Sequence, residues 1–127
     1  MFSGTLESYN FYPTFPLNTF NYRIGNSMTY QTASSTDNIA WGDGALDGNS
    51  AQPTWGTTFR NICIGKNAGN KLYRDSGNSA TPDDDNIMIG VGAGRNAFYY
   101  SRQNVIIGTN AGGQNQIRDC VIVGYNA

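Results

Sequence analysis

Asn86-Ile-Met-Ile-Gly90-Val-Gly-Ala93 decides how this chain folds, because it is one of six copies of a single element. The others are Asn21-Tyr-Arg-Ile-Gly25-Asn-Ser-Met28, Asn38-Ile-Ala-Trp-Gly42-Asp-Gly-Ala45, Asn61-Ile-Cys-Ile-Gly65-Lys-Asn-Ala68, Asn104-Val-Ile-Ile-Gly108-Thr-Asn-Ala111 and Cys120-Val-Ile-Val-Gly124-Tyr-Asn-Ala127. Their glycines lie 17, 23, 25, 18 and 16 residues apart. Recurrence at such a period marks stacked units that bury their apolar faces against one another. The three residues before each glycine are mostly β-branched, the composition of a short strand. Glycine, and the Asn or Gly two places on, both accept positive φ, so each strand ends in a sharp turn. The element predicts an all-β fold, a parallel β-roll or β-solenoid of about six short coils.

Stacked rungs lie about 4.8 Å apart. The Asn that opens five of the six copies is then either a hydrogen-bonded amide ladder or simply a residue suited to a turn. Side chains alternate along a strand, so the residues flanking the middle of each rung share one face. That face, from Tyr22 and Ile24 to Val121 and Val123, is expected to be the core of the coil. The middle residues, Arg23, Ala40, Cys63, Met88, Ile106 and Ile122, are expected on the other side. An apolar stripe left in water invites aggregation. The expectation is therefore a homotrimer around an apolar axis, with Cys63, Met88, Ile106 and Ile122 at the interface. The alternative is that the chain's own long loops cover the stripe.

Composition narrows the function. Eight basic and nine acidic residues give a net charge of −1, with no basic stripe to meet a phosphate backbone, so no nucleic-acid partner is expected. No apolar run approaches a membrane span, and residues 1–10 lack the order of a secretory signal, so neither membrane insertion nor Sec export is expected. The chain has no His, and Cys63 and Cys120 fall in distant repeats. They are expected as free thiols, with no zinc site and no cofactor. Asp83-Asp84-Asp85 has the chemistry to hold a hard cation, but reads more simply as a solvated turn. Glu7 is the sole glutamate, and no serine sits in a nucleophile elbow, so an enzyme is not expected.

The chain divides into an arm, residues 1–20, and a repeat domain, residues 21–127. The arm carries Phe2, Tyr9, Phe11, Tyr12 and Phe15, and Pro13 and Pro16 favour an extended path. Aromatic residues on an extended segment suit docking by strand addition or pocket filling. The arm is read either as an anchor onto a larger assembly or as a cap on the first coil. Longer loops follow three rungs and carry Trp55, Tyr73, Arg74, Tyr99, Tyr100 and Arg102. Aromatic rings beside Arg suit contact with a host glycan or protein, and equally suit local packing of the loops.

The motif Asn-Ile-Cys-Ile-Gly65, Asn-Ile-Met-Ile-Gly90 and Asn-Val-Ile-Ile-Gly108, with Ala three residues later, resembles the parallel β-roll repeats of trimeric autotransporter adhesin heads and of bacteriophage tail fibres and tailspikes. The resemblance covers residues 21–127. It implies a homotrimer, an apolar axis and attachment to a host surface. The adhesin branch would carry an export signal, a coiled-coil stalk and a membrane anchor, which this sequence does not show. The phage branch therefore fits better, and with it location on the outer surface of a capsid or tail. The expectation is a small complete virion protein, a short fibre or a capsid decoration protein, held to a capsid or tail protein through residues 1–20. The alternative is a carbohydrate- or receptor-binding tip module of a longer tail fibre.

Overall fold

The computed structural model describes residues 21–25, 37–46, 58–72, 83–97, 101–113 and 117–127. Its strands are β1 (Asn21–Ile24), β2 (Asn38–Trp41), β3 (Thr58–Phe59), β4 (Ile62–Ile64), β5 (Asp83–Asp84), β6 (Ile87–Ile89), β7 (Val105–Ile107) and β8 (Val121–Val123). No helix occurs among the described residues.

The six motif strands form one parallel sheet in the order β1-β2-β4-β6-β7-β8, which is their order in the chain. Register follows the motif without slippage: Asn21 pairs Asn38, Ile39 pairs Ile62, Ile62 pairs Ile87, Ile87 pairs Val105 and Val105 pairs Val121. Unequal repeat length is therefore absorbed away from the rungs. This is the arrangement of a β-solenoid. A second wall precedes the main rungs: β3 pairs β5 in parallel, and an isolated parallel bridge joins Arg102 to Arg118. One residue at positive φ separates that wall from the rung, namely Arg60, Asp85, Gln103 or Asp119, with φ between 54° and 58°.

Backbone hydrogen bonds also join the turns of neighbouring coils. Asn67 N donates to Asp43 O, Gly92 N to Lys66 O and Asn110 N to Val91 O, each at 2.8 Å. The glycine ending each rung enforces this closeness. Gly90 sits at φ 133°, and a Cβ built there would lie 2.6 Å from the Gly108 carbonyl carbon. Only glycine allows consecutive turns to stack so tightly.

The core lies on the side of the sheet opposite to the one expected. Ala40, Cys63, Met88 and Ile106, the middle residues of their rungs, are all buried. They pack with the turn alanines Ala45, Ala68, Ala93 and Ala111 and with Leu46, Leu72, Ala97 and Ile117. A Cβ at Gly69 would lie 2.6 Å from Cys63 Sγ, and one at Gly112 would lie 2.8 Å from Ile106 Cδ1. The coil interior is thus narrow, with room for one row of side chains per rung. Cys63, Met88 and Ile106 are enclosed by their own chain and form no outer stripe. Ile122, on the last rung, is half-buried against the same core. The expectation of a partner is corrected accordingly at Cys63, Met88 and Ile106.

The Asn side chains share the inward parity of the middle residue and form a ladder. Asn61, Asn86 and Asn104 each donate through Nδ2 to Oδ1 of the preceding Asn, at 3.3, 2.9 and 2.9 Å. The same oxygens accept the backbone N–H groups of Asn61, Asn86 and Asn104. Buried amides are tolerable only when satisfied in this way. Cys120 ends the series, donating its backbone N–H to Asn104 Oδ1 at 3.1 Å.

Candidate functional site

With the middle residues and Asn ladder turned inward, alternation sends the flanking residues outward. Two columns cover the outer face of the main sheet. One is Tyr22, Ile39, Ile62, Ile87, Val105 and Val121, and the other is Ile24, Trp41, Ile64, Ile89, Ile107 and Val123. Trp41, Val121 and Val123 are 57%, 75% and 65% exposed, and Tyr22, Ile39 and Ile107 are also exposed. The strip is about 25 Å tall from six rungs, and about 13 Å wide once side chains are included, an area of roughly 300 Å². The largest apolar patch on an ordinary monomer is about 300–600 Å² and is often functional, so this strip is a candidate interaction surface.

Columns of largely polar residues border it, broken on the second side by Val91 and Tyr125. On one side stand Asp37, Arg60, Asp85, Gln103 and Asp119, each immediately before a motif strand and each exposed. On the other stand Asp43, Lys66, Val91, Thr109 and Tyr125, each immediately after a motif glycine and also exposed. Within the first border Arg60 Nε donates to Asp85 Oδ1 at 2.6 Å and Nη2 donates to Oδ2 at 3.1 Å. Arg60 Nη2 also lies 3.6 Å from Asp84 Oδ2. The hydrogen bond from Arg60 holds the Asp85 carboxyl below the usual carboxylate range, and the same bond raises the guanidinium further. Charge thus alternates over the first three rungs of this border, Asp37, Arg60 and Asp85.

Of the three aspartates suspected of holding a cation, Asp84 and Asp85 are engaged otherwise. Asp84 Oδ1 accepts the Phe59 backbone N–H at 3.1 Å, and Asp85 faces Arg60. Among the described residues no group of three His, Cys, Asp or Glu side chains could hold a metal. Burial pushes the Cys63 thiol well up, the behaviour of a packing residue rather than a nucleophile. Cys120 is half-buried, and both cysteines are free.

Of the loop residues suspected of receptor contact, Trp55, Tyr73, Arg74, Tyr99 and Tyr100 lie outside the described residues, as do the arm residues Phe2, Tyr9, Phe11, Tyr12 and Phe15. Arg102 is described: it sits half-buried in the second wall beside Arg118, and its Nε has no hydrogen-bond partner. Sequence reasoning missed the exposed columns as a site because it assigned them to the core. Bulk was the available signal, since Tyr22 and Trp41 are too large for the interior that Ala40 and Cys63 fill.

No protein-family model matches the chain, and comparison with curated proteins and with solved structures finds no match.

Proposed function

We propose that this is a non-enzymatic virion structural protein that works as a self-assembled column, a homotrimeric short fibre or capsid decoration protein joined to the particle through residues 1–20. The observation that carries the reading is the outer apolar face. Covering about 300 Å² of apolar surface is worth roughly 8 kcal/mol per chain at 25 cal/mol per Å². That falls within the ordering cost of association, about 4–15 kcal/mol, so the apolar face offsets the cost and polar contacts at its borders must add to the gain. Two parallel columns on one face suit closure around a three-fold axis, each column turned toward a different neighbour. The virion setting rests on the resemblance of the repeat to phage fibres and tailspikes. Three arms on one column would raise the effective affinity of each weak attachment.

Sedimentation velocity across a concentration series tests the reading. A trimer is expected for the full chain, and Ile64→Asp with Ile89→Asp, on the outer face, should yield a folded monomer. A monomer at tens of micromolar for the unaltered chain would end the proposal.

A further inference from the structure

The borders of the outer face carry a pattern that specifies how copies meet. Take two chains side by side with columns parallel, the first border of one against the second border of the next. Matched rung for rung, Asp37 faces Asp43 and Arg60 faces Lys66, so both charged rungs repel. Shift the neighbour by one rung, and Arg60 faces Asp43 while Asp85 faces Lys66. Both pairs are then opposite in sign, and the remaining positions pair Gln103 with Val91 and Asp119 with Thr109, which brings no like charges together. A two-rung shift sets Asp85 against Asp43 and repels again, and a one-rung shift in the opposite direction forms a single attractive pair, Asp37 with Lys66, against two in the favoured register. All of these residues are exposed, and they stand on successive rungs of one parallel stack.

We propose that copies of this chain dock in parallel with a stagger of one rung, about 4.8 Å, fixed by Arg60 and Asp85 on one border of the outer apolar face and Asp43 and Lys66 on the other. The inference rests on the self-assembly proposed above and adds its register. Apolar columns of Ile and Val are nearly uniform along the stack, so they supply adhesion with little preference between registers. The charges supply that preference, because juxtaposed like charges disfavour the wrong alignments. In a closed ring a constant stagger between unlike borders is met by tilting each column against the ring axis, which also gives the column a defined hand. Arg60 remains bonded to Asp85 within its own chain, so docking completes a four-membered alternating array, Asp43, Arg60, Asp85 and Lys66, with two members from each copy.

Paired charge reversals test it. Variant P carries Asp43→Lys and Lys66→Asp, and variant Q carries Arg60→Asp and Asp85→Arg; each keeps opposite signs next to one another within its own border. At low salt Q should assemble severalfold more weakly than the unaltered chain, because no register gives it more than one attractive pair, whereas P regains two in the matched register, where Asp37 faces position 43 and Arg60 faces position 66. The deficit should shrink at high salt. Combining P and Q in one chain should restore assembly, and mixing separate P and Q chains should give tighter association than Q alone. Circular dichroism checks that each variant keeps its β structure, and Arg60→Asp alone replaces Q if Q does not fold. Assembly of Q equal to that of the unaltered chain at low salt, or no gain over Q alone on mixing P with Q, overturns the stagger while leaving self-assembly standing. A monomeric unaltered chain overturns both.

Discussion

Removing the Asn86 side chain should damage this protein more than its small volume suggests. Asn86 is buried; its Nδ2 donates to Asn61 Oδ1 and to Ser101 O, both at 2.9 Å. Its Oδ1 accepts the Asn104 backbone N–H at 3.3 Å and Asn104 Nδ2 at 2.9 Å. Asn86→Ala therefore removes four hydrogen bonds at once from a site that excludes water. Leaving a buried donor or acceptor unsatisfied costs about 1–3 kcal/mol per group, so a loss of about 2–5 kcal/mol is expected. That is a large share of the roughly 5–15 kcal/mol that stabilises a typical domain. Urea unfolding followed by circular dichroism measures it as a lower midpoint. Asn86→Asp sharpens the test, because a carboxylate oxygen in place of Nδ2 would face two acceptors and can donate only when protonated. Its folded pKa should therefore rise above the unfolded value of about 3.9. The variant should be most stable below that pH and weaken as pH climbs toward the folded pKa. A loss under 1 kcal/mol for Asn86→Ala, with no pH dependence for Asn86→Asp, would refute the ladder as a stabilising element.

Three further outcomes are expected. Ile106→Asp places a charge in the closed interior and should prevent folding at neutral pH, whereas Ile107→Asp, one residue on and exposed, should fold and lose assembly; circular dichroism and sedimentation separate the two. Gly90→Ala drives a Cβ against the Gly108 backbone at a φ that L-residues rarely adopt, and should lower the thermal midpoint by more than any outer-face alanine substitution. Asp85→Asn should flatten the acid limb of the stability profile. The Arg60 contact lowers the Asp85 pKa, so its contribution is present above about pH 3.9 and is lost as pH falls through the folded value. The pair is exposed, which limits the effect to a few tenths of a kcal/mol in melts at graded pH.

Much of the fold is legible in the chain because one motif repeats with its glycine in place. Strand length, parallel order and register all follow from aligning Gly25, Gly42, Gly65, Gly90, Gly108 and Gly124. Which side of the rung faces inward is harder, since apolar residues occupy both. Uniform Ile and Val in the flanking columns resemble a core, yet the interior is set by what fits between stacked turns. Gly69, Gly94 and Gly112 approach Cys63, Met88 and Ile106 so closely that bulky Trp41 has no place there. Asn parity offered the correct answer, because an Asn ladder must be buried to persist and the middle residue lies two positions after it. The border charges were hidden for another reason. Thr58-Phe59-Arg60, Asp83-Asp84-Asp85 and Ser101-Arg102-Gln103 share no residue pattern, only a backbone path that ends at positive φ. Neither the arm nor the aromatic loops enter the described residues, so their reading stays with the sequence.

The stacking of rungs in chain order also determines how the column bears load. Hydrogen bonds between rungs point along the stack, and each motif strand pairs with its neighbours in the order β1-β2-β4-β6-β7-β8. Tension applied along that direction falls on one inter-rung junction at a time, and the coils should peel away from an end in small, repeated steps. Tension along the strands would instead shear every bond of a junction together and meet far greater resistance. The column is thus mechanically anisotropic, strong across its rungs and compliant along its length.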